Sequence, residues 1–129
     1  MKKEKIIFWI TTILIVLWEG VMPAIFGQSE MAKEGMKHLQ YPEYFGLMLV
    51  VFKVLGAIAL LIPSTHWIKE WAYAGFAFDF IAAAVSHGAI DGWGNGQTYM
   101  PFIFLAILMV SHYYYRRIWI NASAEPVLK

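Results

Sequence analysis

EWAYAGFAFDFIAAAVSH, residues 70–87, is long enough to form most of a membrane-spanning helix, with Asp79 near its middle and His87 toward its far end. A carboxylate at bilayer depth costs roughly 2.5–3.5 kcal/mol on insertion scales unless something compensates it. Asp79, Ala83, Ser86 and His87 follow one another at i, i+4, i+7 and i+8, a single helical stripe. Phe76, Phe78, Phe80 and Ile81 fall on other faces, which we expect to meet lipid. The clear compensator is Lys53, midway along another apolar stretch, 44–62. The chain therefore reads as helices packed around a buried polar cluster.

Composition supports a bilayer setting. Of the 129 residues 60% are hydrophobic, 17% aromatic and only 15% charged, against about 45–50% apolar and about 25% charged in soluble domains. At about 20 residues per span, four spans use nearly the whole chain and leave no length for a soluble catalytic domain. The expected fold is all-α, an integral membrane four-helix bundle forming one domain over residues 1–129, with spans near 6–26, 44–62, 67–89 and 99–115. The net charge of +1 comes from scattered basic residues, with no phosphate-binding stripe, so nucleic acid is not an expected partner. Absence of cysteine excludes disulfides, thiol redox chemistry, cysteine-ligated zinc and iron–sulfur ligation by this chain alone.

Lys2, Lys3 and Lys5 precede the apolar run 6–18, a beginning shared with secretory signal peptides. Glu19 at the end of the run, the lack of an A-x-A-like site and the later apolar segments favour an uncleaved first span, kinked or ended at Pro23. Residues 28–43 form the one hydrophilic loop of any length. Ser29 is a fitting N-cap for a short helix over residues 30–39 with Met31, Met36 and Leu39 on a loose apolar face. That segment is either a solvated connector or an interfacial helix over the bundle mouth.

Pro42 then opens the second helix, where Gly46, Lys53 and Gly56 share one face, as expected for close helix approach. Pro63, Ser64 and Thr65 mark the next turn, and Ser64 or Thr65 is placed to cap the third span. Residues 91–97, DGWGNGQ, are a Gly-rich polar turn without phosphate-loop spacing. Trp67, Trp71, Trp93, Tyr99 and Tyr113 to Tyr115 cluster near span ends, as interfacial aromatics do, and His112 is expected there too. Basic residues gather in the N-terminus, the second loop (Lys69) and the tail (Arg116, Arg117, Lys129), whereas the first and third loops hold Lys33 and Lys37. The positive-inside rule then places both termini in the cytoplasm.

Four ionisable groups are the candidate ligand-binding or proton-active residues: Glu19, Lys53, Asp79 and His87. Counting about 1.5 Å per residue along antiparallel helices puts Lys53 and Asp79 at one depth, as an ion pair near the midplane. The same counting moves Glu19 and His87 together toward the outer side, as a second pair. With His87 neutral the set carries one net negative charge, which makes it proton-sensitive. A Lys–Asp pair that only fixes helix register, and a histidine that only faces headgroups, remain equally open readings. No metal site is expected, because the histidines and carboxylates lack ligand spacing.

At these residues a resemblance emerges. Gly20-Val21-Met22, then Tyr41-Pro42-Glu43-Tyr44-Phe45, then the stretch from Lys53-Val54-Leu55-Gly56 to Ile62-Pro63, resemble the DoxX-like family of small four-span bacterial membrane proteins. So do Glu70-Trp71-Ala72-Tyr73 through Phe78-Asp79, and Ser86-His87 beyond them. The family takes its name from a small subunit of a thiosulfate:quinone oxidoreductase. Pro23 stands where the family pattern often has lysine, so no ligand site is carried over around Met22.

The resemblance implies a non-catalytic component of a membrane redox or stress system in the bacterial cytoplasmic membrane. It implies either no cofactor in the chain itself or a bound quinone, with a redox protein as partner beside the lipid bilayer; quinone reduction in that complex would use Lys53, Asp79 and His87 as hydrogen-bond and proton donors. Two further functions stay open on the residues themselves. One is a binding protein or isomerase-type enzyme for a small lipophile, with Glu19, Asp79 and His87 as acid and base. The other is a small proton-coupled transporter with its carboxylate at Glu19, where Lys53 would repel cationic drugs. A homodimer is compatible with each.

Overall fold

The computed structural model describes residues 2–62, 66–94 and 96–121, and all the regular structure among them is helical. The expected capping turn at Pro63, Ser64 and Thr65 lies outside the described residues, as do Asn95 of the Gly-rich turn and Lys129 of the tail. Helix α1 spans Lys2–Phe26, α2 Glu30–His38, α3 Glu43–Leu61, α4 His66–Asp91 and α5 Gly96–Tyr115. A wider π-helical stretch, Arg116–Asn121, continues α5. Helices α1, α3 and α4 are each long and apolar enough to cross a membrane. Helix α5, with 20 residues, is about 30 Å long, but Pro101, Ser111, His112 and three terminal tyrosines make it less apolar.

The helices carry large apolar side chains on their outer faces. Ile10, Leu14, Ile25, Phe52, Leu55, Phe78, Ile103 and Met109 all point outward, a surface that water-soluble monomers rarely carry. On α3 only Gly46, Ala57 and Leu60 are fully buried. Apart from Leu60 its buried contacts are thus made by small residues while most of the large ones face away, the habit of membrane helices. Helix α5 lies against α4 and α1, while α3 packs on α4 and on the middle of α1.

Phe76 and Phe80, expected on the lipid face of α4, are buried, whereas Phe78 and Ile81 are exposed as expected. Phe80 stacks on Phe104 of α5 with ring centroids 5.9 Å apart, and Phe76 fills the space above Gly56 of α3. Tyr115 is also inside, bonded to His66 rather than facing the interface. Trp67, Trp71, Trp93, Tyr99 and Tyr113 are exposed near the helix ends.

Lys69, expected as a loop charge, lies in the first turns of α4 and caps α3. Its ammonium donates to the carbonyls of Ala59 at 3.1 Å and Leu60 at 3.0 Å, two of the acceptors a helix C-terminus leaves unmatched. Inside the core, Thr12 of α1, Ser111 of α5 and Tyr73 of α4 form a chain of hydroxyls. Ser111 Oγ is 2.7 Å from both Thr12 Oγ1 and Tyr73 Oη.

Candidate functional site

The site begins with a fault in α1. Pro23 has no N–H to give to the carbonyl of Glu19, and its ring crowds that carbonyl in a regular helix. The chain responds by widening into a π turn over Leu17–Val21, in which Met22 N–H donates back to Leu17 O. The span therefore continues through Pro23 to Phe26. In this turn Glu19 and Gly20 both face inward, and Glu19 is only 4% exposed. Such π turns recur at functional sites.

Two glycines set the distances from Lys53 to its neighbours. A Cβ on Gly20 would sit 2.6 Å from Ala57 Cβ, so α1 and α3 touch here backbone to side chain, one turn along from Lys53. A Cβ on Gly56 would sit 2.9 Å from the tip of the Phe76 ring. Gly56 follows Lys53 by three residues and Phe76 precedes Asp79 by three, so this contact on antiparallel helices brings Lys53 level with Asp79.

The result is one ammonium between two carboxylates. Lys53 Nζ lies 3.2 Å from Glu19 Oε2 and 3.7 Å from Asp79 Oδ2. The closer contact is an ion pair without hydrogen-bond geometry, and Glu19 Oε2 has no hydrogen bond among the described residues. With both acids ionised the triad carries one negative charge, and low-dielectric surroundings make each member depend on the others. The Lys53–Asp79 contact is the one that depth counting gave. Glu19 and His87, expected to pair, have other partners: Glu19 meets Lys53, and His87 meets Asp91.

His87 Nδ1 is 3.0 Å from Asp91 Oδ2, one turn further along α4. The other oxygen of Asp91 contacts His38 Nε2 at the end of α2, and Tyr41 just beyond α2 bonds Ser86. Helix α2, capped at Ser29 by the Ala32 N–H at 3.2 Å, is thereby tied across to α4. Its Met36 and Leu39 turn inward, while Met31 is 85% exposed. The hydrophilic segment forms the short helix expected after Ser29, covering Glu30–His38. His38 and Asp91 were not among the sequence candidates, although the i, i+4 spacing of His87 and Asp91 was there to be read.

Two cavities meet at Lys53. The larger, about 580 Å³, lies between α3 and α4 under α2, with Lys53, Asp79, Ser86 and His87 facing it from the polar stripe. Its apolar walls include Phe45, Phe52, Phe76 and Phe78, and Tyr41 closes one end. The smaller, about 280 Å³, lies between α1 and α3 and holds Glu19, Trp18 and Met22. Met36 of α2 and Lys53 border both. Among the described residues no group of three His, Asp or Glu side chains is arranged to hold a metal ion.

Apolar helices of spanning length gathered around a partly enclosed ion triad define a multi-pass helical membrane protein. The chain belongs to the DoxX-like family, which it matches over residues 7–111, a stretch that includes Glu19, Lys53, Asp79 and His87. No curated protein and no solved structure matches it.

Proposed function

We propose that this protein is a non-catalytic component of a membrane redox or stress system, and that it holds a small lipophile of the quinone class in the cavity between α3 and α4. The observation that carries this reading is the cavity itself. It has aromatic walls, a volume of about 580 Å³ and polar groups converging from one side, the usual form of a small-molecule site. The residues fit a quinone: the Lys53 ammonium and the Ser86 hydroxyl are donors for ring carbonyls, and the phenylalanines are a slot for the ring. A quinone would supply two-electron redox chemistry, and the chain would bind and orient it.

In the same reading α5 is a fourth span, both termini lie in the cytoplasm, and the bilayer is the bacterial inner membrane. A redox protein is the expected partner and a homodimer is compatible. Binding is preferred over acid–base catalysis because Glu19 lines the smaller cavity and not the one that holds Asp79 and His87. Purified protein in detergent tests the reading by thermal unfolding with short-chain benzoquinones and naphthoquinones beside hydrocarbon analogues lacking the carbonyls. Stabilisation by the quinones alone, lost when Ala83→Trp fills the cavity, supports it. No stabilisation across the panel overturns it.

A further inference from the structure

A third cavity, about 520 Å³, opens on a different face of α4, against α5 and its π-helical extension. It touches neither α2 nor α3, and the quinone-class reading makes no use of it. Its inner half is apolar, walled by Ala74 and Ala77 of α4 and Leu108 and Met109 of α5. Its outer end carries Glu70, His112, Arg116 and Arg117. From Leu108 to Arg116 the groove runs roughly 12 Å along the helix, from hydrocarbon depth to the helix end.

The charges at that end are arranged for an anion. Glu70 is held by His112 at 2.8 Å and by Arg116 at 3.2 Å. Arg117 Nε reaches Glu4 of α1 at 3.0 Å, which draws the start of α1 with Lys2, Lys3 and Lys5 to the same end. Arg116 and Arg117 thus line the groove beside Glu70, and Lys2, Lys3 and Lys5 lie within two residues of Glu4 along α1. Both arginines are about half exposed, 46% and 53%, and ion pairs in such settings are weak. Each donates a single hydrogen bond to its carboxylate and Arg117 also meets the Tyr113 hydroxyl, which leaves Arg116 most, and Arg117 part, of a planar donor fork suited to phosphate oxygens.

We propose that this groove binds an anionic phospholipid, its phosphate on Arg116 and Arg117 and one acyl chain along the α4–α5 cleft. Basic pockets between membrane helices bind anionic headgroups in this manner. The apolar inner half selects a lipid over a free phosphate ester, and the two arginines select an anionic headgroup over a zwitterionic one. Both arginines lie beyond residues 7–111, the stretch shared with the family.

The full chain in non-ionic detergent is titrated with phosphatidylglycerol, with phosphatidylcholine of the same chains and with glycerol phosphate, read by native mass spectrometry and thermal unfolding. Phosphatidylglycerol should stay bound and stabilise, and the other two should not. Arg116→Gln and Arg117→Gln should each weaken it about fivefold, the size of one basic residue's attraction to anionic lipid. Ala74→Phe, which fills the apolar half and leaves every charge in place, should also weaken it. The proposal is overturned by equal retention of phosphatidylcholine, by equal stabilisation with glycerol phosphate, or by an Ala74→Phe variant that binds as before. Unfolding temperatures without lipid verify that the variants fold, and should Arg116→Gln fail to, Arg117→Gln decides.

Discussion

Lys53 Nζ sits closer to Glu19, at 3.2 Å, than to Asp79, at 3.7 Å. The lysine of α3 therefore links α1 as well as α4, and it borders both cavities. A lone Lys–Asp pair would fix two helices. This arrangement fixes three, with one carboxylate more than the ammonium neutralises.

The α1–α3 approach that creates the Glu19 contact depends on the missing side chain of Gly20. Gly20→Ala places a methyl 2.6 Å from Ala57 Cβ and should cost about 1–3 kcal/mol, the usual range for overpacking. Ala57→Gly in the same chain should restore most of the loss. Thermal unfolding of the two single variants and the double variant measures the coupling, and simple additivity would refute the contact.

The chain of hydroxyls inside the core predicts an order of costs. Ser111 bonds both Thr12 and Tyr73, so Ser111→Ala takes the shared partner from two buried hydroxyls, at about 1–3 kcal/mol in all. Tyr73→Phe strands one partner that keeps its second bond. Ser111→Ala should therefore lower the unfolding temperature more than Tyr73→Phe does.

Asp91 holds His38 with one oxygen and His87 with the other. Asp91→Ala should free α2 from α4 and leave the helices beneath unchanged. Hydrogen exchange should then quicken across residues 30–38 and stay as it was in α1 and α5. Equal protection in both proteins would show that the contacts from Met36 and Tyr41 hold α2 without Asp91.

The helical architecture was legible because long apolar runs and their polar punctuation follow from backbone needs in lipid. Asp79 and Lys53 were legible as partners because both lie near the middle of neighbouring antiparallel helices. Glu19 was misplaced for two local reasons: a uniform rise per residue ignores the π turn ahead of Pro23, and nothing in the sequence pairs Gly20 with Ala57. His87 lost its partner because Asp91, next to Gly92, read as the start of a turn while α4 runs on to include it. The Thr12–Ser111–Tyr73 chain left no trace, since isolated small hydroxyls in apolar helices look the same whether they face each other or not. Phe76 and Phe80 show the same ambiguity, because an aromatic residue suits lipid and core alike.

The most direct test of the triad is the cost of removing Lys53 in two backgrounds. In the wild-type chain Lys53→Met leaves two carboxylates unopposed and should destabilise by about 3 kcal/mol. In a Glu19→Gln, Asp79→Asn background the lysine is an uncompensated cation, and its replacement should cost nothing or stabilise. An equal cost in both backgrounds, read by thermal unfolding in the same detergent, would contradict a lysine shared between α1 and α4.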